Sequence, residues 1–129
     1  LPSTPPDLAG LAHGWLDSRP PPGRPGAPGA SLPHDRVVKS ARRQGIPAGS
    51  SRALGWDTPS ENSSAGTKLG PRAFGHTGFT GTSIWIDPDR DLFIILLSNR
   101  VNPTRANTKI LQVRRRIADF VADAVTPPQ

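Results

Sequence analysis

The chain has 129 residues, 16 prolines, no cysteine and a formal net charge of +6. This length supports one small domain with a single modest core, and the lack of cysteine excludes disulfide bonds, thiolate metal sites and cysteine nucleophiles. The basic charge is compatible with a nucleic-acid partner, but arginine without clustering favours a compositional bias instead.

The first residues predict a short amphipathic helix. Ser3 or Thr4 suits the helix cap, and a proline-rich first turn follows. Apolar side chains then recur at helical spacing to about Asp17, at Leu8, Leu11, Ala12, Trp15 and Leu16. Residues 18–32 are rich in proline and glycine with almost nothing apolar to bury, which predicts a disordered loop.

The following segment predicts little regular structure. A short helix is expected over residues 33–43, ended by Gly45 and Pro47. Residues 53–56 resemble a short strand, and residues 58–72, rich in serine, asparagine, glycine and proline, are expected to form a loop.

The best-defined element is a β-hairpin. Residues 83–87 alternate with the period of a strand, and Pro88 opens a tight turn over residues 88–91. Residues 92–97 are then apolar without interruption, which is typical of a strand that is covered on both faces and lies inside a sheet.

A C-terminal amphipathic helix follows. Asn107 or Thr108 is the expected cap, and Pro127 is the expected stop. One apolar stripe predicts the face that covers a sheet, at Ile110, Val113, Ile117, Phe120, Val121 and Ala124. The three consecutive arginines at 114–116 fan over about 200° of the helix, which predicts a solvated polar face rather than a nucleic-acid-binding stripe.

The candidate for chemistry is His76-Thr77-Gly78, just before the hairpin. Between Phe74 and Thr82, three glycines and three threonines surround this one titratable side chain. Glycine lets another backbone approach closely, and a strand edge with histidine and threonine can bind a carboxylate and present N–H groups to an oxyanion. On these residues alone, a structural histidine in a glycine-rich turn is the commoner case.

A longer string around this site resembles a known family. The string comprises His76-Thr77-Gly78, Phe79-Thr80-Gly81-Thr82, Trp85-Ile86-Asp87-Pro88 and Leu97-Ser98-Asn99-Arg100-Val101. It is similar to the serine β-lactamase and penicillin-binding superfamily, in its class C-like branch of D-alanyl-D-alanine carboxypeptidases and esterases. Residues 3–9 and 52–57 resemble family segments too, so the resemblance covers most of the chain.

The resemblance implies a role for each residue of the family's third active-site motif. His76 stands where the family has lysine or histidine, which helps to bind the substrate carboxylate and to tune proton transfer. Thr77 would hydrogen-bond that carboxylate, and Gly78 would let the substrate lie along the strand. The backbone N–H of Phe79 would supply half of the oxyanion hole.

The family's other two motifs are absent from this chain. None of the lysines, Lys39, Lys68 and Lys109, follows a serine by three positions, so no Ser-x-x-Lys nucleophile motif occurs. No tyrosine is present to begin the second motif. Residues 1–129 are therefore expected to be the C-terminal part of one β-lactamase-like domain, whose opening is typical of the middle of a longer protein. The apolar run at 92–97 would then lie at an unpaired sheet edge.

Other side chains are weaker candidates. His13, His34 and His76 match no metal-ligand spacing, so neither a metal nor a cofactor is expected. Asp87 and Asp89 flank the turn proline, and turn chemistry explains them better than acid–base catalysis. The three tryptophans are expected in the core or in a pocket wall rather than as a base-stacking platform.

Together these observations predict an α+β fold. In it, the third-motif strand and the hairpin form a partial antiparallel sheet that packs against the C-terminal amphipathic helix. The favoured function is the C-terminal part of a serine hydrolase that acts on a β-lactam, a D-alanyl peptide or a small ester through an acyl-enzyme.

Two alternative functions remain open at this point. One is a non-catalytic β-lactamase-like binding module, and the other, less favoured, is a basic nucleic-acid-binding protein. The favoured hypothesis includes no nucleic-acid partner and no transmembrane segment in this chain. The resemblance implies the bacterial cell envelope, the periplasm or secretion, and leaves the cytoplasm open.

Overall fold

The computed structural model describes residues 3–16 and 48–125. These ranges contain, in chain order, α1 (Pro5–Leu16), β1 (Phe74–Thr77), β2 (Ser83–Asp87), β3 (Leu92–Leu96) and α2 (Ile110–Ala124). The α+β class is confirmed. The predicted loop over 18–32 and the predicted helix over 33–43, with His34, lie outside the described residues. Neither described helix is both long and apolar enough to cross a membrane.

The sheet is antiparallel and follows chain order, with β2 between β1 and β3. The predicted hairpin of β2 and β3 is confirmed. Trp85 lies opposite Gly75 on one side and opposite Ile94 on the other. Because side chains alternate between the faces of a strand, these three residues share one face, and Phe74 and Ile86 share the other.

Helix α1 packs on the face of Phe74 and Ile86. Its predicted cap is confirmed, because the Thr4 hydroxyl accepts the Asp7 N–H at 3.4 Å and donates to the Asp7 carboxylate at 2.6 Å. Ala12 is fully buried against this core, whereas Leu11, predicted on the same stripe, is 49% exposed. The small Ala12 occupies the closest approach to the sheet, and Leu11, about 100° away around the helix, points outward.

An aromatic cluster completes this side of the core. Trp15 of α1 contacts Trp56 and Phe74, with ring centroids 5.2 and 5.5 Å apart. Trp56 and Phe74 are also 5.2 Å apart. Trp85 is buried on the other face, and Trp15 and Trp56 are partly buried and pack against the core. These positions agree with the prediction that the tryptophans lie in the core or in a pocket wall.

Helix α2 covers the face of Trp85 with part of the predicted stripe, because Ile110 is buried and Ile117 and Val121 pack against the core. Its buried residues recur at every fourth position: Ile110, Arg114, Ala118 and Ala122. Val113, Phe120 and Ala124 are exposed instead, with Phe120 at 74%. Ala118 packs directly on Trp85 and Ile94, so the small side chains bring the helix close to the sheet and leave no room there for Phe120.

The start of α2 also differs from the prediction. Lys109, rather than Asn107 or Thr108, occupies the N-cap position, and it makes no side-chain cap hydrogen bond. The Asn107 side chain accepts the Lys109 N–H at 3.1 Å. Asn107 therefore stabilises the turn just before the helix rather than its first N–H groups.

Residues 53–56 form a turn and not the predicted strand. Gly55 has φ of +76°, a left-handed conformation, and the Ala53 N–H donates to the Trp56 carbonyl at 2.8 Å. Arg52 and Asp57, on either side of the turn, form an isolated bridge. The loop predicted over residues 58–72 is confirmed.

Strand β3 is less covered than its sequence predicted. Ile94 is its buried residue, and Leu97, just beyond the strand, is 46% exposed. Within residues 3–16 and 48–125, β3 pairs with β2 alone, so it lies at the edge of the sheet. An apolar run predicts that a strand is buried, but it does not identify the element that covers the strand.

The turn after β2 is held by two aspartates. Asp87 is 1% exposed and accepts the N–H groups of Gly70 at 2.8 Å and Asp89 at 3.0 Å. The Arg72 guanidinium hydrogen-bonds Asp89 and holds the pKa of that carboxyl below its usual range. These contacts confirm turn chemistry for Asp87, whereas the Asp89 carboxylate binds Arg72 and ties the turn to the loop before β1.

Candidate active site

The side chains of His76 and Thr77 lie on opposite faces of β1. His76 is opposite Ile84, on the α1 face, and Thr77 is opposite Ser83, on the α2 face. A groove of about 250 Å³ runs past His76, and another of about 420 Å³ runs past Thr77 toward α2. Thr77 and Gly78 line both grooves, so a ligand at this edge can reach either face.

Among the described residues, the outer edge of β1 is unpaired only at its far end. Asp57 pairs with Gly75, with N–H···O distances of 2.8 and 2.9 Å in the two directions. Alternate residues of an antiparallel strand turn their backbone groups to the same edge. Those of Thr77 therefore face the same way as those of Gly75, just past the segment that carries Asp57.

Both ring nitrogens of His76 are engaged. Nδ1 lies 3.0 Å from the Thr77 carbonyl oxygen, which can only accept, so Nδ1 carries the proton. Nε2 lies 3.3 Å from Nη1 of Arg52, which can only donate, so Nε2 is the acceptor. The contacts therefore select the neutral Nδ1–H tautomer and place a guanidinium beside the imidazole.

This arrangement predicts a measurable tautomer. We expect ¹⁵N NMR of the histidine-labelled chain at a pH where His76 is neutral to place the proton on Nδ1. Arg52→Met should shift the population toward Nε2–H, because Nε2 then loses its donor. Arg90→Met, at an exposed arginine in the β2–β3 turn, is the control and should leave the tautomer unchanged. A dominant Nε2–H form in the parent chain would contradict the assignment.

Residues 78–82 form a tight turn beyond β1. The Gly78 N–H donates to the Thr82 carbonyl at 2.8 Å, and the Gly81 N–H donates to the Gly78 carbonyl at 3.2 Å. Gly81 has φ of +117°, a value that L side chains rarely adopt. The Phe79 side chain is 64% exposed, and its backbone N–H makes no hydrogen bond within the described residues. This N–H is therefore free to bind a ligand.

Arg100 holds the turn from the loop after β3. Its Nε donates to the Phe79 carbonyl at 2.7 Å, and its guanidinium carbon lies 4.5 Å from the centre of the Phe79 ring. Its Nη1 donates to the carbonyls of Arg105 and Asn107 at 3.3 and 3.2 Å. Arg100 thus ties the turn to the segment that leads into α2.

Arg114 holds the same turn from α2, and its placement corrects the predicted solvated face at 114–116. It is 6% exposed, and its Nη2 donates to the carbonyls of Gly78 and Thr82, both at 2.7 Å. Burial lowers the pKa of this guanidinium from its ordinary value, and the nearby charge of Arg100 adds to the effect. Arg114 lies four residues before Ala118 and therefore on the same face of the helix, which faces the sheet.

The structure places the four predicted site residues consecutively at the end of β1 and adds three arginines that the sequence interpretation missed. Arg52 and Arg100 lie in segments that resemble the family. The resemblance therefore pointed to these segments but assigned no function to either arginine. Arg114 gave no separate signal, because neighbouring arginines hide which one faces inward. In the described ranges, no cluster of three or more metal-binding side chains occurs.

Comparisons with known proteins agree with the sequence resemblance. The Beta-lactamase family model matches residues 2–119. A candidate D-alanyl-D-alanine carboxypeptidase from Salmonella gallinarum is 34% identical over 79 residues, which cover 59% of this chain and 18% of that protein. A protein of the same name from Salmonella paratyphi B matches to the same extent.

A solved structure is similar in fold. The crystal structure of a beta-lactamase from Mycobacterium bovis matches with a TM-score of 0.70 at 25% identity. The match covers 96% of this chain and 45% of that one. The chain thus spans about a fifth of the carboxypeptidase relatives and less than half of the structural neighbour.

Proposed function

Because the chain belongs to the beta-lactamase family, as a C-terminal portion of the serine β-lactamase and penicillin-binding superfamily domain, we propose that it supplies one wall of a serine hydrolase active site. The wall consists of His76, Thr77, Gly78 and the backbone N–H of Phe79. The observation that carries the proposal is the Phe79 N–H just beyond β1, which has no hydrogen-bond partner among the described residues and lies beside the outward-facing N–H of Thr77.

The wall binds the substrate along the open end of the β1 edge. Gly78 has no side chain, so an extended substrate can lie against the backbone. The Thr77 hydroxyl hydrogen-bonds a substrate carboxylate, and the guanidinium of Arg52 beside His76 adds positive charge on the other face of the strand. This chemistry suits a β-lactam or a D-alanyl peptide, or a small ester with an acidic group.

The reaction is acyl transfer to a serine outside this chain. When the serine oxygen adds to the substrate carbonyl, negative charge develops on the carbonyl oxygen, and the Phe79 N–H stabilises it. Collapse of this intermediate breaks the bond to the leaving amine or alcohol and leaves an ester on the serine. Water then hydrolyses that ester, and the same N–H binds the second oxyanion.

The first test uses the chain alone. Without its nucleophile partner, we expect it neither to hydrolyse nitrocefin or p-nitrophenyl acetate above background nor to label with fluorescent penicillin. Stoichiometric labelling would contradict the proposal, because it would place a nucleophile within residues 1–129.

The second test joins the chain to a complete domain. In the Mycobacterium bovis beta-lactamase, the part that matches this chain is replaced by residues 1–129, and nitrocefin hydrolysis is measured. We expect activity that falls by roughly 10- to 100-fold in kcat/KM with His76→Ala and by about tenfold with Thr77→Val. His13→Ala, at an exposed histidine of α1, is the matched control and should retain full activity.

The outcomes separate catalysis from simple binding. A folded chimera whose activity is insensitive to His76 and Thr77 would refute the proposed wall. An inactive chimera, combined with saturable binding of a D-alanyl-D-alanine peptide at β1 of the isolated chain, would replace the catalytic proposal by a binding module.

A further inference from the structure

One peptide unit of the turn carries both an anchored carbonyl and a free N–H. The carbonyl of Gly78 accepts Nη2 of Arg114 at 2.7 Å and, at the longer distance of 3.2 Å, the N–H of Gly81 within the same turn. The N–H of Phe79 belongs to the same peptide plane. In a trans peptide the C=O and N–H bonds point in opposite directions. Whatever fixes the Gly78 carbonyl therefore also fixes the direction of the Phe79 N–H.

This peptide plane needs an anchor because of the glycine beside it. Gly78 has no side chain to restrict rotation of the plane, and glycine adopts more backbone conformations than any other residue. The property that lets a ligand approach Gly78 thus also loosens the Phe79 N–H. The next peptide unit is held separately, because the Phe79 carbonyl accepts Nε of Arg100 at 2.7 Å.

Arg114 is suited to this anchoring. Its side chain is buried on α2, and the same Nη2 binds the Thr82 carbonyl at 2.7 Å, so both ends of the turn share one donor. Hydrogen bonds from a charged donor are short and strong. Burial restricts the guanidinium itself, so the turn is held by a donor of fixed position.

Ion pairing does not explain why Arg114 is buried. In the described residues it forms no ion pair, and its buried Nε has no hydrogen-bond partner. A buried cation without a carboxylate costs stability relative to an apolar side chain of similar size. The compensating contacts of Arg114 are its hydrogen bonds to the Gly78 and Thr82 carbonyls, so its burial is tied to this turn.

We propose that Arg114 is a positioning residue that aims the Phe79 N–H at the substrate carbonyl. The inference rests on the proposed oxyanion role of that N–H. Arg114 lies in the wall of the groove past Thr77, but the role proposed for it is indirect, because it acts through the Gly78 carbonyl.

The first experiment measures the N–H direction in the chain alone. Residual dipolar couplings and ¹⁵N relaxation are recorded for the parent chain, Arg114→Met and Arg116→Met, an exposed arginine of the same helix as the control. We expect the Phe79 coupling to fit the β2 frame in the parent and control chains. In Arg114→Met it should deviate and its order parameter should fall, while the couplings of β2 remain unchanged.

Two further variants separate positioning from folding. Arg114→Lys keeps a charged donor and should restore part of the Phe79 order, which an apolar packing role would not require. Ala118→Gly destabilises the same helix without touching the turn, and it should leave the Phe79 coupling unchanged. If Arg114→Met does not fold, the positioning role is tested by comparing Arg114→Lys with the parent chain. Lysine cannot reproduce the guanidinium geometry that binds the Gly78 and Thr82 carbonyls, so the order parameter of the Phe79 N–H should still fall below that of the parent chain.

The second experiment measures the consequence in the chimera with the Mycobacterium bovis beta-lactamase. We expect Arg114→Met to lower kcat by roughly 10- to 100-fold with little change in KM, because misdirection of one oxyanion donor affects the transition state. Arg116→Met should match the parent chimera.

The two proposals fail in distinguishable ways. An unchanged Phe79 coupling in folded Arg114→Met overturns the positioning role, whatever the activity. A changed coupling with unchanged kcat leaves Arg114 as the anchor of this peptide but overturns its effect on catalysis. If His76→Ala and Thr77→Val are also silent in the chimera, the proposed active-site wall itself fails.

Discussion

Gly75→Ala is expected to destabilise the domain by about 3 kcal/mol, at the upper end of the usual cost of overpacking. A methyl group at this position would collide with the carbonyl oxygen of Ile84 and would lie 2.5 and 2.7 Å from two ring carbons of Trp85. The strand cannot move away, because Gly75 pairs with Asp57 on one side and lies opposite Trp85 on the other. For 129 residues the loss corresponds to a fall in Tm of roughly 10 °C, measurable by circular dichroism.

Gly78→Ala is the matched control for this prediction. Its added methyl group would meet the hydroxyl of Thr82, which is the end of a rotatable side chain rather than backbone or a buried ring. We expect a loss below about 1 kcal/mol, since Thr82 can change rotamer. Equal losses for the two variants would show that general glycine effects, and not the close approach of β1 to Trp85, set the stability.

Trp85→Ala is expected to cost about 3–5 kcal/mol, which approaches the whole stability of many small domains. Trp85 is 2% exposed and fills the space between the sheet and α2, against Ala65, Ile94 and Ala118. The small alanines around it cannot expand into the cavity left behind, so little of the loss would be recovered. Urea denaturation followed by circular dichroism measures the change.

Two milder variants divide this effect into its parts. Ser64→Ala removes the acceptor of the Trp85 indole N–H, which donates to the Ser64 hydroxyl at 2.9 Å, and should cost about 1 kcal/mol. Trp85→Phe keeps much of the ring volume and should fall between Ser64→Ala and Trp85→Ala. A loss below about 1 kcal/mol for Trp85→Ala would contradict the assignment of this residue to the core.

The elements that the sequence predicted well are those whose signal is local. The hairpin of β2 and β3 follows from period-two alternation on one side of a turn proline and an apolar run on the other. The α1 cap follows from the hydroxyl of Thr4 three residues before Asp7. These features depend on neighbours in sequence, so the letters alone suffice to predict them.

The exposed side of α2 was not predictable from the hydrophobic periodicity of the helix alone. The apolar stripe selected Phe120 as a core residue, yet Ala118 faces the sheet and Phe120 faces solvent. The volume of Trp85 decides this, because a large side chain on the sheet requires small ones on the helix above it. Such complementarity joins residues 33 positions apart, and hydrophobic periodicity does not record it.

The candidate site divides in the same way. The order of His76, Thr77, Gly78 and Phe79 on one strand end could be predicted from the family string. The contacts of Arg52 with His76 and of Arg114 with Gly78 join residues 24 and 36 positions apart. Each depends on a turn or a helix rotation that the tertiary structure sets, so these partners become visible only in the folded chain.

The pairing of Asp57 with Gly75 also sets a limit on ligand length. Asp57 is itself held in place, because its carboxylate accepts the hydroxyl of Ser51 at 2.6 Å and the N–H of Thr58 at 3.2 Å. An extended chain that adds to β1 from the open end therefore meets a fixed obstacle immediately after Thr77. If β1 binds an extended peptide as proposed, the terminal residues of that peptide would pair with Thr77, and the segment at Asp57 would block a longer polypeptide from continuing along the strand.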